Sequence, residues 1–313
     1  MIHFYKSVDN RIQEIPELEE GCWVSAVSPD EDEIFFLIDQ LGLDQGFVRA
    51  ALDEEESSRI EEEDGQVLVI VDVPVVVSAK ERKDESSAHY TTMSMGIILA
   101  EKWVVTISPT PQPVINEISD GLVKNVAPHL KTRFLLLILL RIASRFLLYL
   151  KQIDKLSTQA EQQLHRNMSN QALYKLLGLE KSLVYFSTSL KSDEMTLEKI
   201  MRGRIIKLYD EDEDILEDVL IEVKQAIEMC NIYSNILSST MDAFSSIISN
   251  NLNIVMKVLT ALTIVMTIPN IITGFYGMNV AGLPMPVAWF PTALIFVGIA
   301  VAAIVLAKKG MFR

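Results

Sequence analysis

Hydrophobic and polar positions change rhythm twice along the chain. From residue 1 to about 120, short apolar runs at Cys22–Val27, Gln66–Val77, Tyr90–Ala100 and Trp103–Ser108 alternate with helical pieces such as Glu31–Leu41. That pattern predicts a mixed domain of strands and helices. From about Leu122 the apolar spacing becomes helical, with few breakers before Pro269. Leu216, Leu220, Val223, Ile227, Cys230, Ser234, Leu237, Met241, Phe244 and Ile248 recur at alternating four- and three-residue steps. This is a heptad seam with one polar position, the mark of a long helix packed against partner helices. Neither glycine nor proline interrupts it, so a helix from Glu211 to Thr273 would run roughly 95 Å.

The second change comes near Asn251. Val258–Phe275 and Val287–Ala307 contain no Asp, Glu, Lys, Arg or His. Each is close to the twenty or so apolar residues a bilayer crossing needs, once Leu252–Lys257 is added to the first. The expected organisation is an α/β domain over 1–120, a helical segment over 121–210, and a stalk helix over 211–251. The stalk continues into a first membrane span over 252–275. A loop over 276–287, a second span over 288–307 and a basic tail over 308–313 follow. The fold class is therefore α+β, with a stalk and a C-terminal membrane hairpin.

Charge sharpens this division. The 313 residues carry a net charge of −14, yet all 42 acidic residues lie before Asn251. Twenty-four basic residues accompany them, a net −18, while the last 62 residues hold only Lys257, Lys308, Lys309 and Arg313. So acidic a chain is a poor match for nucleic acid, whose phosphates attract basic surfaces. Lys308, Lys309 and Arg313 flank the exit of the second span, and the connecting loop has no basic residue. The positive-inside rule then places both termini in the cytoplasm. The start MIHFYKSVDNR lacks the apolar core of a cleavable signal. Cys22 and Cys230 are expected to be free thiols in a reducing compartment.

One stretch imitates a span. Phe134–Leu150 is nearly as apolar, but it holds Arg141 and Arg145 and is flanked by Lys131, Arg133 and Lys151. Charges at bilayer depth are costly, so it is expected to be a buried helix outside the membrane. The four histidines are scattered without metal-ligand spacing, and no phosphate-binding loop, dinucleotide fingerprint or nucleophile elbow occurs. No enzyme is expected.

Within the first span, Asn253, Thr260, Thr263, Thr267, Asn270 and Gly274 are the less apolar positions, and from Thr260 they form one helical stripe. Small and hydroxylated residues also suit close helix packing. Two asparagines, however, are costly against lipid unless bonded, which favours a pore wall. Pro269 lacks an N–H and frees a carbonyl one turn earlier, so a kink near Asn270 is expected.

The span closes on Gly274-Phe275-Tyr276-Gly277-Met278-Asn279. Here the sequence resembles the CorA family of magnesium channels, whose mark is a (Y/F)GMN motif ending the first of two C-terminal spans. Asn253–Thr260 is similar to the family's opening of that helix, and Arg59–Pro74 is a weaker N-terminal echo. The resemblance implies a homopentamer shaped as a cytoplasmic funnel in the cell (inner) membrane, with the first spans around the pore. It implies Gly277, Met278 and Asn279 as the selectivity filter, Asn279 meeting the ion through its water shell. It implies pore-lining roles for Asn253, Met256, Leu259, Thr263, Thr267, Asn270 and Gly274, with Met256 and Leu259 as an apolar gate. Mg²⁺ is then both cargo, with Co²⁺ or Ni²⁺ as companions, and the cytoplasmic ion that closes the pore by bridging subunits. No cofactor is implied.

The stalk position matching that regulatory site is Asp218, its partner carboxylate unassigned. Lys308, Lys309 and Arg313 would form a basic collar, though plain positive-inside anchoring explains them equally. Where many relatives carry an acidic loop, Leu283-Pro284-Met285-Pro286-Val287 has no carboxylate. Two alternatives stay open: a zinc transporter on the same scaffold, and a non-conducting membrane-anchored coiled-coil receptor or scaffold. The clusters Asp30–Glu33, Asp53–Glu56, Glu61–Asp64 and Asp210–Asp214 read as solvated surface or as cation-sensing charge.

Overall fold

The computed structural model describes residues 1–8, 11–78, 87–167, 170–279, 284–285, 287 and 289–311. It divides into two compact units, Met1–Ser239 and Thr240–Arg313.

The first unit is built on a seven-stranded sheet: β1 (Ile2–Val8), β2 (Arg11–Ile15), β3 (Trp23–Val27), β4 (Arg59–Glu63), β5 (Gln66–Val76), β6 (Tyr90–Leu99) and β7 (Val104–Ser108). Their spatial order is β2-β1-β3-β7-β6-β5-β4; β3 pairs with β7 in parallel, and the other neighbours are antiparallel. The four expected apolar runs become β3, β5, β6 and β7, the inner strands.

These strands are near-continuous in hydrophobicity because both faces are covered. Val24, Ala26, Leu68, Ile70, Ile98, Val105 and Ile107 form a core with Leu37, Phe47, Val48 and Ala51 from the helices after β3. The alternate residues Trp23, Val69, Val71 and Val104 are buried as well. Trp23 meets Phe134 edge-on at 5.3 Å and donates from Nε1 to Thr106 Oγ1 at 2.9 Å. The outer strands β2 (RIQEI) and β4 (RIEEE) are short and charged, which discourages pairing with another sheet edge.

The predicted helix at Glu31–Leu41 forms as α1 (Glu31–Phe35), followed by a π-helical turn over Phe36–Gln40. Asp30 and Glu33 close a capping box: the Glu33 N–H donates to Asp30 Oδ1, and the Asp30 N–H donates to Glu33 Oε2. Part of that acidic cluster therefore serves the helix end. Helices α2 (Gln45–Ala51) and α3 (Pro113–Ser119) complete the layer around the sheet.

The long helices begin at α4 (Lys131–Asn167), later than the change of pattern near Leu122, and continue in α5 (Asn170–Met201). Phe134–Leu150 lies inside α4 with Phe134, Leu135, Leu136, Ile138, Leu139, Ile142, Ala143 and Phe146 buried. Arg145 pairs with Glu117 and sits over the Tyr149 ring at 5.6 Å. Charge and grease are thus reconciled within protein. Gly203 takes φ +63° at the turn after α5, a conformation that only glycine adopts without cost.

Helix α6 (Asp210–Tyr276) then runs from the first unit into the second. Its first turn holds Asp210–Glu213, favourable at the positive end of a helix dipole, and Asp212 Oδ2 accepts from the Tyr209 N–H. The heptad seam is filled by the chain itself over this part. Leu216, Leu220, Val223, Cys230 and Leu237 are buried, while Ser144 donates to Glu222 at 2.7 Å and Ser238 to Glu180 at 3.1 Å. The partner helices of this part of the seam are the chain's own α4 and α5. Both cysteines are free and buried, and burial pushes the Cys230 thiol up to about 12, which keeps it an unreactive thiol.

In the second unit, the later part of α6 and α7 (Trp289–Lys308) are the two helices long and apolar enough to cross a membrane among the described residues. Their most apolar windows have mean hydropathy 1.8 and 2.5, and 6% of each is buried.

Candidate functional site

The second unit sorts the first span's residues by face. Ala261 is fully buried, and Val265, Ile268, Ile272 and Tyr276 are partly covered. Ile268 packs so closely on α7 that a side-chain carbon at Gly298 would stand 2.8 Å from its Cγ2. The Tyr276 ring lies 6.4 Å from that of Phe290. At about 100° per residue, Leu259, Thr263, Thr267, Asn270 and Gly274 fall roughly half a turn away from this packed side. All five are exposed, as are Asn253 and Met256, and a side-chain carbon added at Gly274 would meet no neighbouring group within 4 Å. The small-residue stripe is therefore not the contact between α6 and α7.

Its chemistry is that of neutral acceptors. Thr260, Thr263 and Thr267 donate their hydroxyl hydrogens to the carbonyls of Met256, Leu259 and Thr263, at 2.7, 2.8 and 2.7 Å. With its hydrogen committed to backbone, each hydroxyl offers only lone pairs outward. Thr273 does likewise to Pro269 O at 2.8 Å, one turn beyond the proline. Assigned helix continues through Pro269 to Tyr276, and the carbonyl the proline frees belongs to Val265, on the partly covered side.

The GMN tripeptide follows directly. Gly277 N–H donates to Thr273 O at 2.8 Å and Met278 N–H to Phe275 O at 3.4 Å, closing the helix end. The negative end of the helix dipole and its last free carbonyls therefore meet at Gly277–Asn279, an arrangement that favours a cation. Met278 and Asn279 are exposed. The Tyr276 hydroxyl donates to Pro284 O at 3.1 Å, tying the later loop to the helix end. Leu283, Pro286 and Arg313 lie outside the described residues. Lys308 and Lys309 are exposed at the end of α7, where positive charge complements a helix C-terminus.

Asp218 is exposed on α6, on the side opposite the buried seam, together with Ile221, Gln225, Ile232 and Ile236. Among the described residues, no group of three or more His, Cys, Asp or Glu is arranged to hold a metal ion. One acidic feature has no counterpart in the sequence reading: Asp193 of α5 is buried against Asp72 of β5. A signal was available. Leu179, Leu183, Phe186, Leu190, Asp193, Leu197 and Ile200 keep the four-three heptad spacing, and Asp193 is the one charge among them.

An α/β unit, a helix continuing into a second unit, and two exposed apolar helices with an acceptor-lined stripe define a membrane protein. The model of the CorA-like Mg²⁺ transporter protein family matches residues 19–309, so the chain belongs to the CorA family, whose members are transporters and not enzymes. It is 29% identical over 300 residues to the cobalt/magnesium transport protein CorA of Methanocaldococcus jannaschii, covering 92% of this chain and 90% of that one. The complete structure of the M. jannaschii CorA magnesium transporter superimposes with a TM-score of 0.83 at 24% identity, covering 97% and 96% of the two chains. Full-length CmaX shares the fold at 14% identity, with a TM-score of 0.72 over 98% and 97%.

Proposed function

We propose that the chain forms a homopentameric channel in the cell (inner) membrane, with both termini cytoplasmic. It carries Mg²⁺, and Co²⁺ or Ni²⁺ with it, inward along the membrane potential. Gly277, Met278 and Asn279 form the outer filter, and the stripe from Asn253 to Gly274 lines the pore. One observation carries this reading: that stripe is exposed on the face turned away from α7 and leads to the GMN end of the helix. Copies of the chain placed around an axis would cover it and enclose a path.

The chemistry suits a hydrated divalent ion. Mg²⁺ parts with its water reluctantly, and its water shell donates hydrogen bonds, so amide, carbonyl and hydroxyl oxygens are apt partners. A wall of neutral acceptors binds weakly enough to release what it admits. At −100 mV the potential supplies about 4.6 kcal/mol for a divalent ion, twice the single-charge figure. The exposed stripe of Ile221, Ile232 and Ile236 on the stalk supports contact between copies, and Asp218 shares that side. Cytoplasmic Mg²⁺ at Asp218 bridges neighbouring subunits, offsets their repulsion and closes the pore. Lys308, Lys309 and Arg313 form a basic collar at its inner end.

The test is divalent uptake into liposomes with and without internal Mg²⁺. Potential-driven Mg²⁺ entry that internal Mg²⁺ suppresses is the expected result. Zn²⁺ uptake unaffected by excess Mg²⁺ would replace magnesium with zinc, and a dimer in detergent would remove the pore.

A further inference from the structure

Asp193 occupies a core position of α5, with 4% of its surface exposed and apolar residues before and after it along the heptad seam. Its Oδ1 accepts from the Ser58 hydroxyl at 2.8 Å and from the backbone N–H of Asp72 at 3.0 Å. These residues are separated from Asp193 by 135 and 121 positions, so one carboxyl joins three distant parts of the chain. Asp72 is half-buried and hydrogen-bonds Ser189, one turn earlier on α5. Ser189 in turn shares a 2.7 Å hydrogen bond with Thr92 of β6. Two acids and three hydroxyls thus fasten α5 to the sheet.

Among the described residues, no Lys or Arg forms an ion pair with Asp72 or Asp193. Arg59, next to Ser58, is committed to Glu56 at 2.5 Å and Glu61 at 3.0 Å. A 520 Å³ cleft beside Asp72 is lined by Glu54, Glu55, Glu56 and Tyr185 as its other titratable groups. At the start of β6, the backbone N–H groups of His89 and Tyr90 are held by Ser182 of α5, and the Tyr90 hydroxyl by Gln152 of α4. Lys191 acts on Cys230 of α6, and Glu194 follows Asp193 in the chain. A buried carboxyl beside a second acid and without a paired cation favours its protonated, neutral form.

We propose that Asp193, buried against Asp72, keeps a proton and so forms a latch between α5 and β5 that is closed in acid and loosens as the pH rises. The ligand is the proton itself, and loosening releases it to water. Because α5 leads directly into the turn before α6, the latch sits on the element that precedes the stalk. Burial first, and then the Asp72 charge, hold the Asp193 carboxyl well above its ordinary 3.8; burial also raises Asp72. The sign follows. Above 3.8 the unfolded chain has lost this proton while the closed latch keeps it, so stability is full below that pH. It falls as the pH climbs to the raised value, and in that window opening increases about tenfold per pH unit.

The test is hydrogen–deuterium exchange of α5 and β5 in the full-length protein in detergent from pH 5 to 8, corrected for intrinsic exchange. Wild-type opening should rise with pH by up to about tenfold per unit, and Asp193→Asn should flatten the profile. Asp72→Asn, which removes the neighbouring charge but leaves Asp193 buried, should end the rise at a lower pH. In the infrared, wild type should show a protonated carboxyl band that persists above the pH at which exposed carboxylates ionise; it should be absent in Asp193→Asn and be lost at lower pH in Asp72→Asn. Parallel exchange profiles in wild type and the variants would overturn the latch. So would a wild-type spectrum in which every carboxyl band is lost at the pH where exposed carboxylates ionise, a reading that stands even if Asp193→Asn fails to fold.

Discussion

Two helical segments of this chain are about equally apolar and end in opposite environments. Phe134–Leu150, in α4, is buried among sheet and helices; in α7 only Leu306 is buried among the described residues. The difference is not the amount of grease but the charge embedded in it. Arg141 and Arg145 can be tolerated where protein supplies partners, and Arg145 finds Glu117 and Tyr149. In α7 no ionisable residue interrupts the run before Lys308, and the helix has no need of such partners. Helix α6 repeats the contrast within one element, with its seam buried early and its polar stripe exposed late.

The comparison can be broken in several places. The largest effect is expected at the exposed end of α6: Asn279→Ala should reduce divalent uptake in liposomes to background without altering the soluble core. Retained uptake would detach the exposed stripe from transport. Next, Phe146→Ala in α4 should cost about 3–5 kcal/mol in denaturant unfolding of the full-length protein. Phe296→Ala in α7, whose side chain is 74% exposed, should leave that transition nearly unmoved. Equal losses would mean that α7 is packed like α4.

A smaller loss, about 1–3 kcal/mol, is expected for Gly298→Val, because its new carbon would overlap Ile268. Thermal stability in detergent reads this directly, and an unchanged melting point would argue against the close crossing of α6 and α7. Smallest in stability terms is Asp218→Ala. Exposed on α6, it should leave Mg²⁺-free stability unchanged and remove only the protection from proteolysis that added Mg²⁺ gives. Undiminished protection would remove Asp218 from the regulatory site.

How legible each part was in the sequence depended on how local its cause is. β3, β5, β6 and β7 were visible because two-sided burial makes them continuous apolar runs. β1, β2 and β4 were not, since IHFYKSV, RIQEI and RIEEE are held by backbone pairing with their neighbours and carry little hydrophobic signal. The heptad seam was read correctly as a contact surface, but periodicity cannot say whether its partner is another subunit or the chain's own α4 and α5. Asp193 was overlooked because it looks like any other acid among 42, and only its heptad position hinted at burial.

The sequence by itself determined the two apolar C-terminal helices, the confinement of every acidic residue to the part before them, and the GMN motif at the end of the first. Each rests on composition or adjacency, which folding does not alter. The tertiary structure decided which side of α6 faces α7, which acids cap helices, and which two acids meet in the core. Those depend on contacts between residues far apart in the chain, and hydrophobic spacing fixes a face without naming what will cover it.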